Sequence, residues 1–405
     1  MKSTSASIWF IFITVFLDVL GLGIIIPVVP DLIQELTGKD ISQASEIGGY
    51  LIFSFAFTQF LFAPIMGELS DHFGRRKVLL YTLLGLGLDY FFHAFASSLF
   101  LLFVGRILSG VTGASYSVAN AYIADISTRE NKAKNFGMVG AAFGLGFTVG
   151  PVLGGVAGHH LGVRSPFIIA GVLTLLNVLY GYFVLPESLP VERRRPINIK
   201  NFNPLKIVDR LAKFPSLKWM FLVLFLVNVG QHAVHSTWNY YTQLRFGWNS
   251  DMVGYSLGTA GVLVSLVQGG LIGIFIRKFG NTKTILIGLC CWVLGLFLFG
   301  TAQEGYLMFI YLLPYCLGGM AGPAIQSFIT GQVDEKEQGA LQGVVTSVQS
   351  LTSIFGPLLM DSFLFHTFTE DDAPIYLPGI SFYVGAFLVA IALLIYIFKV
   401  KKRLN

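Results

Sequence analysis

Twelve stretches of predominantly apolar residues follow one another along the chain, at about 7–29, 47–66, 78–97, 99–124, 135–158, 165–185, 218–242, 251–276, 284–302, 305–330, 339–360 and 377–398. A helix needs about 20 such residues to cross the hydrocarbon core of a bilayer. Only helices or closed barrels can do so, because unpaired backbone N–H and C=O groups find no water there. So many runs in 405 residues leave no room for a soluble domain. Composition agrees: 54% of residues are hydrophobic and only 12% charged, against about 25% charged in soluble domains. The first run has no small-residue cleavage site, holds Asp18 and continues into IIIPVVP. It is expected to be a retained helix, not a secretory signal.

Orientation follows from where the basic residues lie. With an even number of spans both termini share one side. If that side is cytoplasmic, it collects 23 Lys and Arg, including those at 75–77, 129–134, 193–218, 277–283 and the C-terminus. The other side holds Lys39, Arg164 and Arg245, and its loops are acidic, with Asp31, Glu35, Asp40 and Glu46 in the first and Glu370, Asp371 and Asp372 in the last. The net charge of +5 follows from this asymmetry and requires no nucleic-acid partner. Cys290, Cys291 and Cys316 all fall inside apolar runs, where thiols are expected to pack.

The chain repeats itself. An offset of 206 residues lays GELSDHFGRRKV (67–78) over GIFIRKFGNTKT (273–284), pairing Gly67 with Gly273, Gly74 with Gly280 and Lys77 with Lys283. The same offset pairs Gly113 with Gly319, Gly137 with Gly343, and Gly150-Pro151 with Gly356-Pro357. One register held this long argues for an internal duplication. The expected architecture is all-α, with twelve transmembrane helices in two six-helix bundles, 1–185 and 218–405. They are joined by a short basic cytoplasmic linker, 186–217, with an interfacial helix near 204–214. Two repeats with a substrate site at mid-depth between them suit rocking alternating access.

Three stretches carry a family resemblance: LDVLGLGIIIPVVPDL, FAPIMGELSDHFGRRKVLL, and GRILSGVTGAS through YIADISTRENKAKNFG to AAFGLGFTVGPVLGG. RFGWNSDMVGYSLGTAG and QGALQG in the second half fit the same pattern. The chain resembles the major facilitator superfamily, and within it the tetracycline-resistance branch of twelve-helix drug/proton antiporters. The resemblance covers nearly the whole chain. It implies the major facilitator fold, a bacterial inner-membrane location, a monomer, and export of drugs or other amphiphilic small molecules driven by a proton gradient, without cofactor. A sugar or metabolite carrier of the same fold is the alternative.

Ionisable groups within a bilayer are costly and mark function by default. The runs contain Asp18, Asp89 and Arg106, and a rise of about 1.5 Å per residue puts all three at nearly one depth. Burial favours a neutral carboxyl and a nearby guanidinium favours a charged one, so a carboxylate between the two influences can take up and release a proton. Asp18 is expected as the coupling acid, with Asp89 a second candidate and Arg106 a partner or substrate ligand. The alternative is a static ion pair between helices. At the basic surface, Asp71 and Arg75 lie four apart and can form a charge network that breaks as the halves rock. Gly74 permits the turn and Gly67 a close helix approach, Arg76 completes the motif, and the resemblance adds Asp125. The small residues Gly146, Gly150, Gly154 and Gly155, with Pro151, form a ridge for close helix packing.

Polar residues at helical spacing mark faces turned from lipid. Arg106 and Asn120 lie on one such run, Gln231, His235, Trp238 and Asn239 on another, and Gln342 and Gln349 on a third, with Gln326 nearby. Together they are the candidate substrate surface; for any one member the alternative is a satisfied inter-helix hydrogen bond. His232 and His235 lie three apart without carboxylates nearby, so no metal is expected. No phosphate-binding G-x-x-x-x-G-K-[ST] occurs, which excludes a nucleotide-driven pump within the chain. No Ser/His/Asp set points to an enzyme. The tetracycline exporters of the resembling branch carry an acid where this chain has Trp292 and a histidine where it has Val264, which puts tetracycline itself in question as the substrate. The second half shows no acid within its runs, so proton coupling is expected in the first half alone.

Overall fold

The computed structural model describes residues 4–113, 115–127, 132–197, 213–333 and 337–400. Among them the regular structure is entirely helical. In chain order the helices are α1 (Thr4–Ile25), α2 (Val29–Thr37), α3 (Ile41–Phe73), α4 (Arg75–Ala94), α5 (Leu99–Thr112), α6 (Ser115–Ile126), α7 (Lys132–Leu161) and α8 (Ser165–Val184). They continue as α9 (Lys218–His235), α10 (Trp238–Phe246), α11 (Ser250–Leu266), α12 (Ile272–Thr301), α13 (Gly305–Gly318), α14 (Ala321–Thr330), α15 (Gln338–Pro357) and α16 (Ile380–Ile395). All twelve apolar runs fall on helix, and nine helical stretches among the described residues are long and apolar enough to span a membrane. The chain is an all-α integral membrane protein.

Local chemistry sets the boundaries. The Ser98 side chain caps α5 by accepting from the Leu101 N–H, satisfying one of the donors that a helix start leaves unpaired. Gly38 ends α2 in the left-handed conformation. The repeat is visible in the backbone: Gly74 (φ 101°, ψ 148°) separates α3 from α4, and its counterpart Gly280 (φ 73°, ψ 167°) interrupts α12. Few residues other than glycine adopt this region. The breaks at Gly113 and Gly319, between α5 and α6 and between α13 and α14, are likewise 206 residues apart.

The residues group into two compact units. The first comprises Met1–Gly38, Ser54–Pro204 and Asn249–Gly258, and the second Lys39–Phe53, Leu205–Trp248 and Thr259–Asn405. In the first, α1 packs on α7 and α8, and α4 packs on α8, around Phe10, Ile11, Val19, Leu83 and Tyr122. In the second, α9 packs on α15 and α16 and α12 on α13 and α16, around an edge-to-face aromatic cluster of Trp238, Tyr241, Phe299 and Phe382. The units trade segments. Residues 39–53, from the first sequence half, join the second unit, and 249–258, from the second half, join the first. Of the expected linker, 186–197 and 213–217 are described; the interfacial helix near 204–214 lies almost wholly outside the described residues.

Candidate functional site

At the basic surface of the first unit, the Arg75 guanidinium pairs with Asp71 on the preceding turn and, through Nε, with Asp125 at 3.1 Å. It also donates to Ser70. The carboxylate of Glu187 organises the turn: its Oε1 accepts from the backbone N–H groups of Arg75 (2.9 Å), Ser188 and Leu189 (3.1 Å each). The Ser188 hydroxyl closes the network on Asp125 at 3.2 Å. A Cβ at Gly74 would displace the Glu187 carboxylate, and the positive φ disfavours any side chain there. Arg76 leaves the cluster and donates to the Tyr182 carbonyl at 2.6 Å. Among the described residues nothing lies within 4 Å of the Gly67 Cβ position, so the expected close approach is not made by them. Glu187 lay in the linker, where an acid beside Pro186 reads as solvated loop.

Deeper in the same unit, Asp18 on α1 and Asp89 on α4 are buried and Arg106 on α5 is half-buried. Tyr90, next to Asp89 on α4, is buried too, and its hydroxyl lies 3.1 Å from the Cβ position of Gly21 on α1, one turn beyond Asp18. Asp89 has closer partners than Arg106. Ser109 on α5 donates to Oδ2, and the ring of His93, one turn along α4, places Nδ1 at 3.2 Å from the same atom. His93 is not among the residues expected from the sequence, since near the end of its apolar run, 78–97, a histidine reads as membrane interface.

The second unit corrects one expectation. Asp361 is completely buried in the π-helical segment Leu358–Phe365, which prolongs α15, and it accepts from Thr237 Oγ1 at 2.5 Å. The eleventh run, 339–360, stops one residue short of this acid; the helix continues to Phe365 and carries it, so the second half does hold a buried carboxylate. The polar stripe of the seventh run is also not one face, because α9 ends at His235 and α10 begins at Trp238. Gln231 is buried and accepts from the Tyr315 hydroxyl at 2.5 Å. Trp238 departs from the expected substrate surface: it is 2% exposed and stands edge-on to Phe299 at 5.0 Å, so its indole is core. Asn239 is buried, Gln326 half-buried, and His235, Gln342 and Gln349 are exposed. The side chain of Asn120 lies outside the described residues.

The small-residue ridge on α7 does close work. Cβ atoms at Gly146 and Gly150 would each come within 2.8 Å of a main-chain oxygen of α1, and one at Gly154 would collide with the Ile24 carbonyl. Gly155 faces the other way, onto Ser250 and Gly254 of α11, and Pro151 packs on Gly23.

Comparison with known proteins agrees in direction. A family model described as Major Facilitator Superfamily matches residues 11–357 and, again, 245–404. The chain is 39% identical over 360 residues to the tetracycline resistance protein, class C, of Escherichia coli, covering 89% of this chain and 90% of that one. It is 30% identical over 356 residues to multidrug resistance protein 2 of Bacillus subtilis, covering 85% of each. Among solved structures, the human organic anion transporter MFSD10 superposes with a TM-score of 0.72 at 22% identity, over 98% of this chain and 100% of that one.

Proposed function

This chain belongs to the major facilitator superfamily, and from that premise we propose that it is a proton-coupled antiporter exporting drugs or other amphiphilic small molecules by alternating access. The observation that carries the reading is the group of ionisable side chains Asp18, Asp89 and Arg106, held buried or half-buried on the apolar helices α1, α4 and α5 of one unit. Charge in that setting is retained for work on ions or substrate. Asp18 takes up a proton from one side and releases it to the other, and Arg106 biases that exchange or meets the substrate. The Asp71–Arg75–Asp125 cluster is a latch that holds one state and opens in the other. The gradient supplies the energy, so neither nucleotide nor cofactor is needed. The protein works as a monomer in a bacterial inner membrane with both termini cytoplasmic, and the bundles 1–185 and 218–405 rock about the substrate. Polar side chains that remain accessible, His235, Gln342 and Gln349, contribute to the substrate surface together with Gln231 and Asn239.

Everted vesicles energised to an acidic interior, followed with a pH dye, test this. Addition of a tetracycline or a cationic dye is expected to dissipate the gradient in vesicles with the native chain and not with Asp18→Asn. Equilibration of a labelled sugar with no proton movement would replace the antiporter with a carrier of the same fold.

A further inference from the structure

We propose that His93 is a proton-relay site, passing protons between the aqueous face beyond the end of α4 and the Asp89 carboxylate; the proposal deepens the proton-antiport reading and rests on it. The ring is 2% exposed and one residue from the last residue of α4, Ala94. The next residue, Phe95, is 71% exposed. The imidazole thus lies within about one helical turn of the α4 end while its other edge touches a buried acid.

The hydrogen bonding distinguishes the two ring nitrogens. Nδ1 faces two oxygens, the Asp89 carbonyl at 2.9 Å and Asp89 Oδ2 at 3.2 Å. With acceptors on both sides, Nδ1 carries a proton; the tautomer is thereby assigned. Among the described residues Nε2 has no hydrogen-bond partner although it is buried, and an uncompensated buried polar atom is costly. It is left as the atom that can gain or lose a proton. The relay needs only proton movement: a proton arriving at Nε2 makes the imidazolium, which hands its Nδ1 proton to Asp89 Oδ2, leaving a neutral ring protonated on Nε2 and a neutral carboxyl.

Ser109 makes both charge states of the acid tolerable. Its hydroxyl has two acceptors in reach, Asp89 Oδ2 and the Gly105 carbonyl, the latter at 3.0 Å. When Asp89 is ionised the hydroxyl donates to it. When Oδ2 carries the proton, the hydroxyl turns to Gly105 and its oxygen accepts from the acid. A side chain at Gly105 would press on Cε1 and Nε2 of the ring, so glycine there keeps space at the proton-accepting edge.

The surrounding groups are few. On its own helix His93 meets Asp89, with Tyr90 between them. From α5 come Ser109 and, one turn further out, Arg106. From α8, Phe167 stacks on the ring at 6.0 Å. At the start of α8, Arg164 donates to the Ala94 and Ala96 carbonyls at 2.7 and 2.8 Å and pairs with Glu35. On α1, Asp18 is one turn before Gly21, whose Cβ position lies 3.1 Å from the Tyr90 hydroxyl. The only carboxylate in contact with the ring among the described residues is therefore Asp89.

The test uses the full chain in proteoliposomes with tetracycline as the probe, comparing gradient-driven accumulation with exchange of labelled for unlabelled tetracycline in the absence of a gradient. His93→Phe keeps the stacking on Phe167 and cannot carry a proton; His93→Gln keeps a donor toward Asp89. Both are expected to exchange normally and to lose accumulation roughly ten-fold or more. Undiminished accumulation in His93→Phe, or equal loss of exchange and accumulation in both variants, would overturn the relay. If the native chain moves no tetracycline, the antiport reading fails for that probe, and the relay is judged separately by NMR of labelled histidine in nanodiscs. The His93 ring, assigned by the absence of its signals in His93→Phe, is then expected to carry its proton on Nδ1, as a hydrogen-bonded N–H signal that moves in Asp89→Asn. A ring protonated on Nε2 alone, or an Nδ1 signal that Asp89→Asn leaves in place, overturns the proposal.

Discussion

A side chain such as Trp238, buried and set edge-on to Phe299, contributes by packing, so its removal leaves a cavity where α9 and α10 meet α12 and α16. Trp238→Ala is expected to cost about 3–5 kcal/mol of stability, read as a lowered Tm in detergent, with substrate affinity in the surviving folded protein little changed. A matching loss of affinity at unchanged Tm would return it to the substrate surface. Glu187→Gln belongs to the same scale. It keeps the shape but weakens the bonds that Oε1 accepts from the backbone N–H groups of Arg75 at the α3–α4 turn and of Ser188 and Leu189 after α8. The expected cost is on the order of 1 kcal/mol, accompanied by a higher rate of trypsin cleavage at Arg75 and Arg76. Charged residues inside apolar runs were legible because a lone Asp18 or Asp89 stands out against its neighbours. The partners of Asp89 were less so: His93 lies one turn along the same helix but reads as an interfacial histidine, and Ser109 acquires meaning only when α5 is laid against α4.

Elements here meet at the glycines. On α7 the ridge lets main chains approach where any Cβ would collide, and van der Waals packing of that kind is what holds helices together in lipid. Gly154→Val is expected to destabilise by at least about 1–3 kcal/mol and to reduce the yield of folded protein in size-exclusion chromatography. Gly140→Val, at a position on the same helix with nothing within 4 Å, is expected to be neutral. Equal behaviour of the two would show that the ridge is not what positions α1. The spacing of these glycines was readable in advance, as was the duplication, since a backbone conformation that only glycine supplies must keep its glycine in both copies, as Gly74 and Gly280 do. The split between α9 and α10 was not. Ser236 and Thr237 are unremarkable in a helix, and their meaning depends on Asp361, whose carboxylate accepts from Thr237.

Across the whole molecule, the segment 39–53 is bound into the second unit by particular contacts. Ser42 and Thr369 share a hydrogen bond of 2.6 Å, Glu46 faces His366 at 3.5 Å, and Ser362 donates to the Glu46 carbonyl at 2.8 Å. Alternating access requires some contacts between sequence halves to separate in each cycle. Ser42→Cys with Thr369→Cys, in a background lacking the three native cysteines, is expected to form a disulfide on oxidation. After cleavage in the linker the two fragments should then run as one band, and transport should stop until reductant is added. Continued transport in the cross-linked state would show that this contact is static. The exchanged segments have a further consequence. Shifted by the repeat offset, 39–53 becomes 245–259, which nearly coincides with the segment 249–258 lent in return. A half-length chain built to this plan would give away part of its own packing surface and be complete only beside a twin that returned the favour. Separately expressed halves are therefore expected to accumulate only when made together, which labelling each alone and both in one cell would check.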